Sequence, residues 1–202
     1  MQLNLSLSGS FTSNYIVQDD DTNMDQLISL DKKIFEAINH AHFPVMDYFM
    51  YFVSLVGELA IIWFFLGVLV LYKNKKEGKK ILILMTLAII LTVLINHTVV
   101  SYFFFRLRPY LALPGVHQLG KQWMDSSFPS GHVSSAMAAT VILGRYYRKY
   151  LAWMMLFVIL TMYSRVYLGM HYPSDVLAGV AVGLISGCGI IYLYKIFFGK
   201  MP

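Results

Sequence analysis

Three short clusters in this chain carry the residue types that phosphorus chemistry uses. They are Arg108 before Pro109; Pro129-Ser130-Gly131-His132; and Ser164-Arg165 followed by His171 and Asp175. Cleaving a phosphate ester or anhydride without a metal needs cationic donors on the non-bridging oxygens, an in-line nucleophile and an acid for the leaving oxygen. Arg108 and Arg165 suit the first task, because a guanidinium is a planar, permanently charged fork. Ser130 and Gly131 immediately precede an apolar run, so their amides are expected to point from a helix N-terminus toward an anion. Gly131 also permits close approach of the backbone. His171 and Asp175, four residues apart, share one helix face; the carboxylate is expected to hold one imidazole nitrogen as N–H and free the other to attack phosphorus. His132 is the candidate general acid, since histidine titrates near neutral pH. This chemistry calls for no metal and no other cofactor.

Each cluster lies at the end of an apolar run. The chain has 202 residues, 57% of them hydrophobic and only 13% charged. Runs at roughly 48–72, 81–105, 132–147, 151–168 and 175–197 match the thickness of a bilayer core. Lipid offers no hydrogen bonds, so each run must be helical. The fold class is therefore all-α: a polytopic membrane helix bundle of about five transmembrane helices. Residues 1–26 are polar and acidic and lack the apolar core of a signal peptide, so a disordered tail is expected there. Residues 27–202 then form the single membrane domain. Within it, 27–43 carries Leu27, Ile28, Leu30, Ile34, Phe35 and Ile38 at helical spacing, which predicts an interfacial helix.

The net charge of +5 is unevenly placed. Lys73, Lys75, Lys76, Lys79 and Lys80 fall between the first two runs, Arg145, Arg148 and Lys149 between the third and fourth, and Lys195 and Lys200 at the end of the fifth and beyond it. All three groups lie on one side. By the positive-inside rule that side is cytoplasmic, which puts the N-terminal tail and every phosphate-suited cluster on the extracytoplasmic face of a plasma membrane. Such a distribution argues for a bilayer and a membrane lipid as partners and against nucleic acid. The single Cys188 leaves no disulfide framework. Glu58 interrupts the first run, and Asn96 and His97 the second, at depths of about 12–15 Å at ~1.5 Å per residue. Contact of Glu58 with Asn96 or His97 is expected, fixing the helix pair or flooring the site. Phe103, Phe104, Phe105 and Tyr110 are placed to line the approach.

The three clusters resemble the motifs of the type 2 phosphatidic acid phosphatase superfamily, written KxxxxxxRP, PSGH and SRxxxxxHxxxD. The second and third are complete. The first has Arg108 and Pro109, but Ser101 stands at the lysine position. Arg106 is the candidate replacement for that charge, or else an interfacial anchor. The resemblance implies that His171 forms a phosphohistidine, Asp175 orients it, His132 protonates the leaving group, and Arg108, Arg165, Ser130 and Gly131 hold phosphate, with no metal. Residues 105–110, Asp125-Ser126-Ser127-Phe128 and residues 169–177 are similar to the bacitracin-resistance type of undecaprenyl-diphosphate phosphatases, which also tend to lack the lysine. That likeness implies removal of the terminal phosphate of a polyprenyl diphosphate to give the monophosphate carrier. A phosphatase of phosphatidate or phosphatidylglycerol phosphate is the alternative. A lipid transporter or scramblase, which would cut nothing, is the alternative from another class.

Overall fold

A computed structural model describes residues 19–57 and 61–199. Its helices are α1 (Asp19–Asn39), α2 (Pro44–Gly57), α3 (Ile61–Lys73), α4 (Lys75–Leu94), α5 (Ser101–Phe103), α6 (Pro109–Ala112), α7 (Gly131–Tyr146), α8 (Leu151–Tyr167) and α9 (Pro173–Phe198). The all-helical membrane bundle expected from the apolar runs is what forms. Among the described residues three helical stretches, Lys75–Thr98, Arg148–Tyr167 and Pro173–Phe198, are long and apolar enough to cross a bilayer, and Pro44–Gly57 is a shorter apolar helix. The first run is divided between α2 and α3. Glu58 lies outside the described residues, so its expected contact does too.

Two boundaries differ from the sequence reading. The first helix begins at Asp19, inside the stretch expected to be a disordered tail, and stops at Asn39 rather than near residue 43. Leu27, Ile28, Leu30 and Ile34 are exposed, as an interfacial helix requires, but Phe35 and Asn39 are buried and dock α1 against the bundle. The second difference is at the lysine-rich segment, which is helix rather than loop. Asn74 alone turns the chain, and its side-chain oxygen accepts a hydrogen bond from the Glu77 amide (3.1 Å), capping α4.

At the other end of α4 a π-helical turn, Ile95–Val100, swings Asn96 inward. Its amide donates to Ser134 Oγ on α7 (3.2 Å), and that hydroxyl donates to the Ser130 carbonyl (2.9 Å). His97, considered a partner for Glu58, is instead exposed.

α7 occupies the centre, with every residue from Val133 to Thr140 buried against α4, α8 and α9. Its closeness to α9 rests on glycines four apart. A Cβ at Gly179 would stand 2.7 Å from the Ser130 carbonyl oxygen, and one at Gly183 2.5 Å from that of Ser134. Small residues let membrane helices approach where lipid supplies no hydrophobic drive between them. The Gly183→Ala variant should therefore lose about 1–3 kcal/mol of stability by overpacking. Gly189→Ala, on the same helix with nothing within 4 Å of the added carbon, should lose none. Thermal unfolding of both in detergent checks the contrast.

Candidate active site

The third cluster is shaped by the end of α8. The Met170 and His171 amides both donate to the Arg165 carbonyl (3.0 and 3.2 Å), and Gly169 supplies the positive φ of 74° that this reversal needs. The five-residue spacer between Arg165 and His171 is that turn. It leaves Arg165 (4% exposed), His171 (2%), Asp175 (0%) and Arg108 (5%) buried at one end of the bundle. Lys80, from the lysine-rich segment between the first two apolar runs, sits at the other end, over the rings of Tyr146 and Tyr194. A cavity of about 620 Å³ is also there, lined by apolar side chains with Lys73 and Lys149 at its edge.

Arg108 precedes α6 in extended conformation. Its strand-like segment is pinned to the chain ahead of α7: the Ser127 amide donates to the Arg106 carbonyl (2.8 Å) and the Arg106 amide to Ser126 Oγ (3.1 Å). His171 therefore lies between two fixed neighbours. Its Nδ1–H donates to the Ser127 carbonyl (2.7 Å), and Arg108 Nη1–H faces Nε2 (3.2 Å). A carbonyl can only accept and a guanidinium only donate, so one neutral tautomer satisfies both, with the lone pair on Nε2. Burial, reinforced by Arg165 and Arg108, lowers the His171 pKa to about 4.

Asp175 does not orient His171 by direct hydrogen bond. Its Oδ2 is 3.8 Å from Nδ1 and instead accepts from Ser127 Oγ (2.5 Å) and the Tyr172 amide (2.8 Å). The carboxylate holds Ser127, whose carbonyl holds the imidazole. Oδ1 accepts from Arg106 (2.6 Å). The Arg106 guanidinium is thus engaged with carboxylates inside the protein, where the sequence offers it as a phosphate ligand or an interfacial anchor. Its guanidinium stacks on Tyr172 (3.8 Å) and bridges Asp175 to Asp31 of α1 (2.7 Å), while Asp31 also takes the Ser174 amide and hydroxyl (2.8 and 2.6 Å). Asp31, Ser127 and Ser174 escaped the sequence reading. Ser127 sits just ahead of the second motif; Asp31 carries no signal within its polar helix.

The second cluster also needs correction. The Ser130 amide donates to the Asp175 carbonyl (3.0 Å), so it is not offered to an anion. The Ser130 hydroxyl is buried and has no hydrogen-bond partner among the described residues. Gly131 opens α7 on the exposed side and His132 follows it, half-buried. His132 and Arg165 line a cavity of about 50 Å³ together with Ser54, Tyr51, Gly120 and Trp123. Arg165 donates to Ser54 Oγ (2.5 Å) on α2. Arg108 is paired with the half-exposed Asp125 (2.8 Å).

Because the Arg106 guanidinium bonds to Asp175, Ser174 and Asp31 and stacks on Tyr172, Arg106→Ala should lower kcat about 10- to 100-fold by letting the imidazole drift. KM should stay within about threefold. Steady-state kinetics, with Asp31→Asn as a milder break in the same chain, check this split.

The PAP2 superfamily model matches residues 81–198. The chain is 32% identical over 162 residues to the undecaprenyl-diphosphatase BcrC of Bacillus subtilis, covering 78% of this chain and 81% of that one. It is 28% identical over 192 residues to a lipid A 4'-phosphatase of Porphyromonas gingivalis, covering 86% and 75%. Among solved structures, LpxE of Aquifex aeolicus superposes with a TM-score of 0.70 at 28% identity, covering 81% of this chain and 95% of that one. A phosphatidylglycerolphosphate phosphatase of Bacillus subtilis shares the fold, with a TM-score of 0.69 at 24% identity and 86% and 88% coverage. A profile match over more than half of the chain, together with these relatives, makes the protein a multi-pass membrane phosphatase of the PAP2 superfamily.

Proposed function

We propose that this phosphatase hydrolyses the terminal phosphate of a polyprenyl diphosphate, such as undecaprenyl diphosphate, on the extracytoplasmic face of the plasma membrane. The observation that carries the chemistry is the fixed His171 tautomer, with Nε2 aimed beside the Arg108 guanidinium. Arg108, Arg165 and the Gly131 end of α7 bind the terminal phosphate, the first two as charged forks. Nε2 attacks phosphorus in line, the N–P bond forms, and the bridging P–O bond breaks. His132 gives its proton to the departing oxygen of the lipid monophosphate. His132 then takes a proton from water, whose oxygen attacks phosphorus and breaks the N–P bond. Inorganic phosphate leaves and His171 is restored.

The lipid is favoured by the surroundings. Tyr102, Phe103, Phe104 and Phe105 are exposed directly before Arg106 and Arg108, an apolar belt at headgroup depth beside the phosphate site. A long isoprenoid chain can stay in hydrocarbon while its diphosphate reaches the arginines. The likeness to BcrC and the arginine-only form of the first motif support the same substrate. A lipid A phosphatase is the second reading, supported by the longer match to the Porphyromonas gingivalis protein.

Phosphate release from undecaprenyl diphosphate, lipid A, phosphatidate and phosphatidylglycerol phosphate, measured side by side with purified protein, separates these. The diphosphate should be turned over fastest, and a preference for lipid A would give the site to the second reading. His132→Ala should slow release about 100-fold or more. Because His171 must be neutral to attack and its pKa is about 4, kcat/KM should fall on the acid side only as pH drops through that value. An acid limb near the ordinary histidine value would contradict the assignment of His171.

A further inference from the structure

Outside the phosphate site, two histidines and an aspartate converge where the turn after α1 meets the loop between α6 and α7. The ligand atoms of His42, Asp47 and His117 all lie within 4.8 Å of one another. His117 Nε2 stands 3.3 Å from Asp47 Oδ2, is buried, and makes no hydrogen bond among the described residues. That separation is close to the edge of a tetrahedron about a zinc ion, about 3.3 Å for bonds of ~2.0–2.1 Å. His42 stacks on the His117 ring at 3.7 Å and is exposed.

The groups behind these three are set as ligand supports are. Tyr167 on α8 donates to the other Asp47 oxygen (2.7 Å), and the Phe43 amide donates to the Tyr167 hydroxyl (3.1 Å). Asn39 grips the His117 backbone on both sides: its side-chain oxygen accepts from the His117 amide (2.9 Å), and its amide donates to the His117 carbonyl (2.8 Å). Polar groups of this kind fix ligand orientation and raise affinity. No step of the hydrolysis proposed above uses any of them.

We infer that His42, Asp47 and His117 bind one borderline divalent transition-metal ion of the Zn²⁺ class. Two imidazoles and a carboxylate suit such an ion, and a fourth position stays open to solvent through His42. Asp47 also lines a cleft of about 370 Å³ whose walls Tyr51, Leu119 and Gly120 are shared with the cavity holding Arg165 and His132. The ion pins the 113–123 loop to the start of α2. It thereby stiffens one wall of the phosphate site without taking part in the chemistry.

The test is direct Zn²⁺ binding, which does not depend on the phosphatase reading. Full-length protein in detergent, freed of metal by chelator, is titrated with ZnCl₂ by calorimetry and melted with and without it. One ion per chain is expected, with a rise in Tm. His42→Ala and Asp47→Asn should each weaken binding at least about tenfold and abolish the rise. His40→Ala and His171→Ala should leave both intact. No saturable binding, binding unchanged in the first two variants, or binding lost in His171→Ala would overturn the site.

Discussion

A carboxylate with no exposed surface cannot be left unpaired, and Asp175 is such a carboxylate. Its demand for partners organises the whole active end of the bundle. One oxygen gathers Ser127 and the first turn of α9; the other gathers Arg106, which in turn reaches Asp31 on α1. Four segments distant in sequence are thereby joined around one charge. The imidazole of His171 sits on top of this assembly, gripped through a backbone carbonyl rather than by the acid itself. A backbone acceptor cannot protonate, so the tautomer is held whatever the state of the carboxylate.

The bilayer imposes the second constraint. Helices whose outer faces meet lipid gain little from hydrophobic association with one another, and here close contact is bought by small residues. The Gly179 and Gly183 positions let α9 lie against the backbone of α7, which brings the Asp175 carbonyl to the Ser130 amide. Packing and site are therefore coupled: the contact that builds the bundle also sets the register of the second motif against the third. The price is a helix start at Ser130 with one fewer amide for an anion.

The ends of α7, α8 and α9 were legible because apolar runs in lipid have one solution, and because Ser130 and Gly131 stand where such a run starts. Arg108, Arg165, His171 and Asp175 were legible for a different reason: their types fit one chemistry and their spacing fits one turn. What could not be read was who touches whom. Four-residue spacing put Asp175 beside His171, but a proline-led helix beginning at residue 173 leaves His171 in the turn before it, so the side chains do not stack as helix neighbours. Arg106 is two residues from Arg108 in an extended segment, and it meets Asp175. Asp31 bonds across more than a hundred residues to Ser174, a pairing that no local pattern encodes. The helix α1 begins early because its acidic first turn is helical without any apolar signal to announce it.

The central claim is that His171 Nε2 is the attacking atom. Rapid-quench trapping with substrate labelled at the terminal phosphate tests it directly. Label should appear on the protein in an acid-labile, base-stable form, map to the peptide holding His171, and be absent from His171→Ala. Full turnover by His171→Ala, or label mapped to any other residue, would contradict the account.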